Sequence, residues 1–208
     1  MKFHLRNFFL FVILTVTTGL SFNLSSRTEK WQPLFDGKTL NGWHTLPGGN
    51  WKVEKGKILG TNEKSDPRHG LLVTNNTYKD FELRIKYRAL KGNSGLYFRV
   101  KEVGGPYGVE GLQAEIDPLG GAGGLYETSG RGWVAEPDPA DVKKWYKPGK
   151  WNTMTVSANG KSVIVHVNGY KTAEIHNDPG RSEGNIALQL HGDQDMLVVF
   201  KKIEIKIR

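Results

Sequence analysis

The sequence predicts an all-β fold, a jelly-roll β-sandwich of two antiparallel sheets. Three observations predict it: short runs of period-two alternation, Asn-Gly pairs placed between such runs, and the lack of a convincing amphipathic helix in 208 residues that include 26 glycines. Two sheets are needed because each alternating strand has one apolar face, which must be buried against another layer.

Met1 to Ser21 reads as a secretory signal peptide. Lys2, His4 and Arg6 form a basic start, Phe8 to Leu14 an apolar run, and Thr15 to Gly19 a softer end. The run falls short of the roughly 20 residues of a comfortable membrane span, so no stable span is expected after cleavage. A chain with 0 cysteines cannot be acylated as a lipoprotein. The expected setting is secreted, periplasmic or cell envelope. Residues 22–30 read as a flexible lead-in and 31–208 as one domain, which is as much as the remaining length allows.

Trp51–Val53, Lys57–Gly60 and Leu71–Thr74 are the first clear strands. Phe81 to Arg88 alternates strictly, with Phe81, Leu83, Ile85 and Tyr87 inward and the charges outward. Ser94–Val100 and Leu112–Asp117 follow. Pro118 to Gly149 breaks the pattern with its Gly120-Gly121-Ala122-Gly123-Gly124 run and Pro137-Asp138-Pro139; it reads as one long binding loop or lid, with a helical turn at Ala140–Trp145. Thr153–Ala158, Ser162–Val167 and Tyr170–Ile175 form a meander joined by Asn159-Gly160 and Asn168-Gly169. Both pairs fit type I′ turns, whose two central residues need positive φ. Asn185–Leu190 and Leu197–Arg208 complete about ten to twelve strands, enough for the two sheets.

Composition removes several chemistries. Without cysteine there is no disulfide framework, thiolate zinc site or thiol nucleophile. There is no Gly-x-Ser-x-Gly elbow and no Gly-Lys-Ser/Thr phosphate loop. The 29 Lys+Arg against 21 Asp+Glu give +8, and removing Lys2 and Arg6 leaves 27 − 21 = +6. These charges are spread and interleaved with acids, as in Lys202-Ile203-Glu204-Ile205-Lys206, so they describe a solvated strand face and no nucleic acid partner.

The candidate site comes from three strands whose second face is polar. Leu112, Ala114 and Ile116 leave Gln113, Glu115 and Asp117 on the other face; Leu96, Phe98 and Val100 leave Tyr97 and Arg99; Ile186, Leu188 and Leu190 leave Ala187, Gln189 and His191. If these strands are neighbours, they form a concave polar patch. Same-face neighbours lie about 6.5–7 Å apart, which puts Glu115 and Asp117 within the roughly 5–9.5 Å used by paired carboxylates on sugars. Amide, carboxylate, imidazole and guanidinium groups beside Tyr126, Arg131 and Trp133 of the glycine-rich loop suit a carbohydrate. His191-Gly192-Asp193-Gln194-Asp195 offers donors for a divalent metal ion, the alternative being a polar hairpin turn. His44, His69, His166 and His176 are isolated and read as surface or structural.

A series of motifs in order along Trp31–Ile207 resembles the 3-keto-disaccharide hydrolase domain. They are Trp31-x-x-Leu34-Phe35-Asp36-Gly37 through Trp43, Gly92-Asn93-Ser94-Gly95-Leu96-Tyr97-Phe98-Arg99, Gly111-Leu112-Gln113-Ala114-Glu115-Ile116-Asp117, Gly149-Lys150-Trp151-Asn152 and Leu188-Gln189-Leu190-His191-Gly192. The resemblance implies a concanavalin A-like lectin/glucanase jelly roll acting on 3-keto-glycosides, with Arg99, Glu115, Asp117 and His191 as catalytic residues. Tyr97, Gln113, Tyr126, Arg131, Trp133 and Gln189 then surround the sugar. Where the family often carries a further polar residue, this chain has Leu190.

A ketone at C3 acidifies the C2 proton, so the glycosidic bond can break by elimination. That chemistry needs a base at C2, a positive group at the ketone oxygen and an acid at the leaving oxygen. The expected assignment is His191 as base, Arg99 or a divalent metal at the oxygen, Glu115 as acid and Asp117 orienting a partner; Glu115 and His191 can exchange roles. The alternatives are a non-catalytic carbohydrate-binding module that uses Tyr97, Tyr126 and Trp133, and, ranked last, an ordinary retaining glucanase.

Overall fold

In the computed structural model, residues 30–208 are described, so the expected signal peptide 1–21 and most of the lead-in 22–30 lie outside the described residues. The strands are β1 (Gln32–Pro33), β2 (Trp43–Leu46), β3 (Asn50–Glu54), β4 (Lys57–Asn62), β5 (Gly70–Thr74), β6 (Phe81–Lys91), β7 (Ser94–Glu102), β8 (Val109–Ile116), β9 (Leu125–Thr128) and β10 (Gly132–Ala135). After a helix α1 (Pro139–Trp145) come β11 (Asn152–Asn159), β12 (Ser162–Val167), β13 (Tyr170–Ile175), β14 (Asn185–Leu190) and β15 (Met196–Ile207). They form two antiparallel sheets: an eight-stranded sheet in the order β13-β12-β11-β6-β15-β4-β3 with β1 beside β15, and a seven-stranded sheet in the order β10-β9-β8-β7-β14-β5-β2.

The core lies between the sheets, and alternation places it there. Phe81, Leu83, Ile85 and Tyr87 of β6, Leu96 and Phe98 of β7, Ala114 and Ile116 of β8 and Leu188 and Leu190 of β14 are all fully buried in one cluster. Leu190 is therefore a packing residue, and its departure from the family pattern stays out of the polar face. The outer face of the seven-stranded sheet has a smaller apolar cluster of Leu71, Val73, Tyr97, Val100, Val109 and Ala187.

Three expectations need correction. Pro118–Gly149 is not one long loop, because it holds the β9–β10 hairpin; the helical turn expected at Ala140–Trp145 is present as α1, whose N-cap Asp138 accepts a hydrogen bond from Ala140 N with Pro139 in the first turn. Only Asn168-Gly169 has the two positive φ values of a type I′ turn, 51° and 90°. At the other hairpin the two-residue loop is Gly160-Lys161 and only Gly160 is positive, φ 53°, the pattern of a type II′ turn. Finally, Val100 belongs to the outer apolar cluster with Tyr97 instead of the core with Phe98. The register of β7 shifts between Phe98 and Lys101, and Arg99 there has φ 51°. A bulge of this kind reverses the alternation beyond it.

Candidate functional site

β14, β7 and β8 are neighbours, so their polar faces do meet. On β7, Gly95 lies opposite Glu115 of β8, and Tyr97 lies opposite both Gln113 of β8 and Ala187 of β14. A Cβ at position 95 would sit 2.3 Å from Gln113 Oε1 and 3.2 Å from Gln189 Oε1. Glycine there lets the two amides fold across the strand and form the floor of a cleft of about 540 Å³.

Gln113, Glu115, Asp117, Gln189 and His191 all line this cleft. Its aromatic wall is Tyr126 against Trp133, ring centroids 5.4 Å apart and edge to face. Glu115 is 5% exposed, and Gln113 Nε2 donates a hydrogen bond to its Oε1. Burial, with the Asp117 charge adding to it, pushes the Glu115 carboxyl up to about 8, so it is protonated at neutral pH. His191 donates from Nδ1 to its neighbour's carbonyl, Gly192 O, at 2.6 Å, which in the neutral ring leaves Nε2 bare. Asn62 Nδ2 donates to His191 O at 3.2 Å and fixes that backbone.

Asp117 holds the glycine-rich loop. Leu119 N donates to its Oδ1 at 2.8 Å and Gly121 N to its Oδ2 at 3.0 Å. The loop is tied in further by Trp145 Nε1 donating to Ala122 O at 2.9 Å, by Thr172 Oγ1 donating to Gly123 O at 2.8 Å, and by backbone bonds between Glu115 and Gly123 and Gly124. Asp117 thus acts through the loop and through its charge on Glu115.

Three expected site residues lie elsewhere. Arg99 is turned off the polar face by the bulge; buried, it donates to Lys79 O, Gly160 O and Asp80 Oδ1 at 2.7, 2.8 and 3.0 Å. It ties β7 to the tip of the β11–β12 hairpin and leaves the cleft without a guanidinium. Tyr97 is fully buried under the floor, its hydroxyl bonded to Thr128 Oγ1 at 2.8 Å and receiving a bond from Gln189 Nε2 at 3.1 Å, so it offers no platform to a sugar. Arg131 is paired with Glu127 and Asp178 and does not line the cleft.

Sequence reasoning missed His69, Tyr107 and Asn93. His69 lines the cleft just before β5, 7% exposed, with its ring 4.4 Å from that of His191 and 5.1 Å from that of Tyr107. Nothing near it in sequence marks it, because the pairing of β5 with β14 is what brings it to His191. Asn93 Oδ1, Gln113 Oε1 and Gln189 Oε1 are enclosed without a hydrogen-bond donor among the described residues. An unpaired buried acceptor costs about 1–3 kcal/mol, so these three oxygens are suited to a ligand rich in hydroxyl donors.

Of the proposed metal-binding run, His191 and Asp193 line the cleft, while Gln194 and Asp195 are engaged in structural hydrogen bonds. Asp195 accepts from Lys64 N and Lys91 Nζ, and Gln194 Oε1 accepts from Asn93 N. Among the described residues no group of three or more His, Cys, Asp or Glu side chains is placed to hold a metal ion.

Comparison with known proteins gives a family and a fold. The model of the 3-keto-alpha-glucoside-1,2-lyase-like domain matches residues 30–206. A 3-keto-disaccharide hydrolase of Bacteroides thetaiotaomicron is 36% identical over 80 residues, 34% of this chain and 27% of that protein, so the match spans about a quarter of the relative's length. Among solved structures, a presumed glycosyl hydrolase from Parabacteroides distasonis superposes with TM-score 0.63 at 23% identity, covering 86% of this chain and 94% of that one. A galectin-like-fold protein of unknown function from Bacillus subtilis gives 0.64 at 14% identity, covering 86% and 96%. A carbohydrate-binding module from Bacillus subtilis gives 0.61 at 17% identity, covering 79% and 95%.

Proposed function

The chain belongs to the 3-keto-alpha-glucoside-1,2-lyase-like domain family, and from that premise we propose that it cleaves the glycosidic bond of 3-keto-glycosides by elimination followed by hydration. The observation that carries this reading is the pairing, in one cleft, of a carboxyl held protonated near neutral pH with an imidazole whose Nε2 is bare. Elimination needs one proton removed and another supplied, and Glu115 and His191 match those demands.

His191 Nε2 takes the C2 proton, and the electron pair moves onto the C3 oxygen as an enolate. As the C3 carbonyl re-forms, a C1=C2 double bond forms, the C1–O bond breaks and Glu115 protonates the departing oxygen. Water then adds: its hydroxyl goes to C1 with the water proton returning to Glu115, while the His191 imidazolium returns a proton to C2. Both groups end as they began, and the sum is hydrolysis. Asp117 is a positioning residue in this scheme, and the edge-to-face Tyr126 and Trp133 wall supplies an apolar surface for a sugar ring.

The test is turnover of a 3-keto-glucoside with and without chelator. Wild type is expected to release the aglycone, with kcat falling above about pH 8 as Glu115 ionises. Glu115→Gln and His191→Ala should each lose at least about a hundredfold in kcat. Full activity in both folded variants would remove this site; saturable glycan binding with no turnover would make the protein a binding module. The signal-like segment 1–21 supports export, for which the check is N-terminal sequencing of the mature protein, expected to begin near residue 22.

A further inference from the structure

With Arg99 outside the cleft, the elimination scheme lacks a group at the C3 oxygen, where charge develops. Few nitrogen donors remain in the cleft. Gln113 Nε2 is spent on Glu115 Oε1, and Gln189 Nε2 is shared between His69 Nδ1 at 3.0 Å and Tyr97 OH at 3.1 Å. An amide nitrogen donates, so His69 Nδ1 must accept, and the neutral ring carries its proton on Nε2. That nitrogen has no hydrogen-bond partner among the described residues and is not one of the fully enclosed unpaired atoms.

We propose that His69 is a catalytic residue that donates the Nε2–H hydrogen bond to the C3 oxygen of the substrate as it becomes an enolate. The role rests on the elimination reading of the cleft. Geometry carries it. The C3 oxygen is two bonds from C2, and the two imidazoles are neighbours with centroids 4.4 Å apart, tilted by 44°. A sugar placed with its C2 proton at His191 Nε2 can set its C3 oxygen, two bonds away, against the neighbouring His69 ring. Backbone as well as side chain fixes the ring: His69 N donates to Pro106 O at 2.8 Å, and Tyr107 packs edge-on against the imidazole.

The donor is a neutral imidazole, and the surroundings keep it so. Burial, with the neighbouring His191 opposing a second positive charge, holds the His69 imidazolium form down to about 4. This matters during turnover, because His191 becomes cationic when it takes the C2 proton. A His69 that stays neutral still donates a hydrogen bond without facing its neighbour with a like charge. No proton leaves His69, so the proton balance of the reaction is unchanged.

The experiment compares wild type, His69→Leu, His69→Gln and Asn93→Ala on a 3-keto-glucoside. Asn93 is included as another cleft residue whose side-chain nitrogen has no hydrogen-bond partner among the described residues. Loss of one such donor costs about 10²–10³-fold in kcat, so His69→Leu is expected to fall by that factor with KM changed by less than about fivefold. His69→Gln, which keeps an N–H donor, should recover about tenfold or more of the loss. Nitrogen-15 NMR of wild type should find the His69 proton on Nε2, a readout independent of whether the leucine variant folds. A proton on Nδ1, a His69→Leu variant with kcat within about threefold of wild type, or a loss borne by Asn93→Ala instead would overturn the role. Absence of any wild-type turnover would remove the elimination reading itself, and this role with it; turnover that survives His69→Leu removes the role alone.

Discussion

Arg99 shows what one backbone dihedral can do to a site. Its guanidinium is 3% exposed and makes three hydrogen bonds, one of them to Asp80. Replacing it by leucine takes the guanidinium donor from two backbone carbonyls and from the Asp80 carboxylate, which keeps its bond from Gly160 N at 2.7 Å, a loss of roughly 2–4 kcal/mol. Arg99→Leu is therefore expected to lower the urea midpoint while the molecules still folded keep kcat within about threefold of wild type. A drop in kcat of a hundredfold with stability unchanged would restore Arg99 to the chemistry. The sequence misplaced this residue because a bulge carries no compositional mark here: Leu96, Phe98 and Val100 alternate on paper, and only the φ of 51° at Arg99 breaks the phase. Gln113, Glu115, Gln189 and His191 were legible because the segments that carry them alternate plainly there, and β8 and β14 flank β7 on either side. His69 was not legible, since its relation to His191 is a product of strand pairing between distant segments.

At the scale of elements, the loop after β8 couples the stability of a turn to the acidity of Glu115. Two backbone N–H groups, of Leu119 and Gly121, rest on the Asp117 carboxylate, and the loop's Gly124 O accepts from Glu115 N. The charge of Asp117 also raises the Glu115 pKa, second to burial. Asp117→Asn keeps much of the hydrogen-bonding shape and removes the charge. The alkaline limb of the rate profile should then move from about 8 toward lower pH by less than the whole shift, because burial is the larger cause. An unchanged limb, measured as log kcat against pH, would mean that Glu115 is not the group titrating. This loop was read as structureless because β9 and β10 have four residues each among glycines and prolines, too few to show a period. The long strand β6, with eleven residues, showed its period plainly.

For the whole molecule, the cleft writes two opposing terms into the dependence of stability on pH. The native state holds a proton on Glu115 up to about 8, whereas an unfolded glutamate releases it near 4.5; the folded chain binds more protons across that window, and stability falls as pH rises through it. His69 acts in the other direction. Its folded value of about 4 lies below the unfolded 6.5, so the unfolded chain binds more protons between them and stability falls as pH drops. From 4.5 to 6.5 the two slopes oppose and largely cancel; above 6.5 the Glu115 term stands alone. Measured by urea unfolding, the stability of Glu115→Gln minus that of wild type should grow by up to about 1.4 kcal/mol per pH unit from about 4.5 and level off near 8. The difference between wild type and His69→Gln should instead fall as pH is lowered from about 6.5. Taking each difference against its own variant removes the contribution of surface carboxylates such as Asp36 and Asp66, whose pKa values are lowered by backbone and arginine hydrogen bonds. A Glu115→Gln difference that stays flat across neutral pH would show that the carboxyl is ionised in the folded cleft. In that event Glu115 could serve as a base but not as the acid at the leaving oxygen, and the roles of Glu115 and His191 would have to be exchanged.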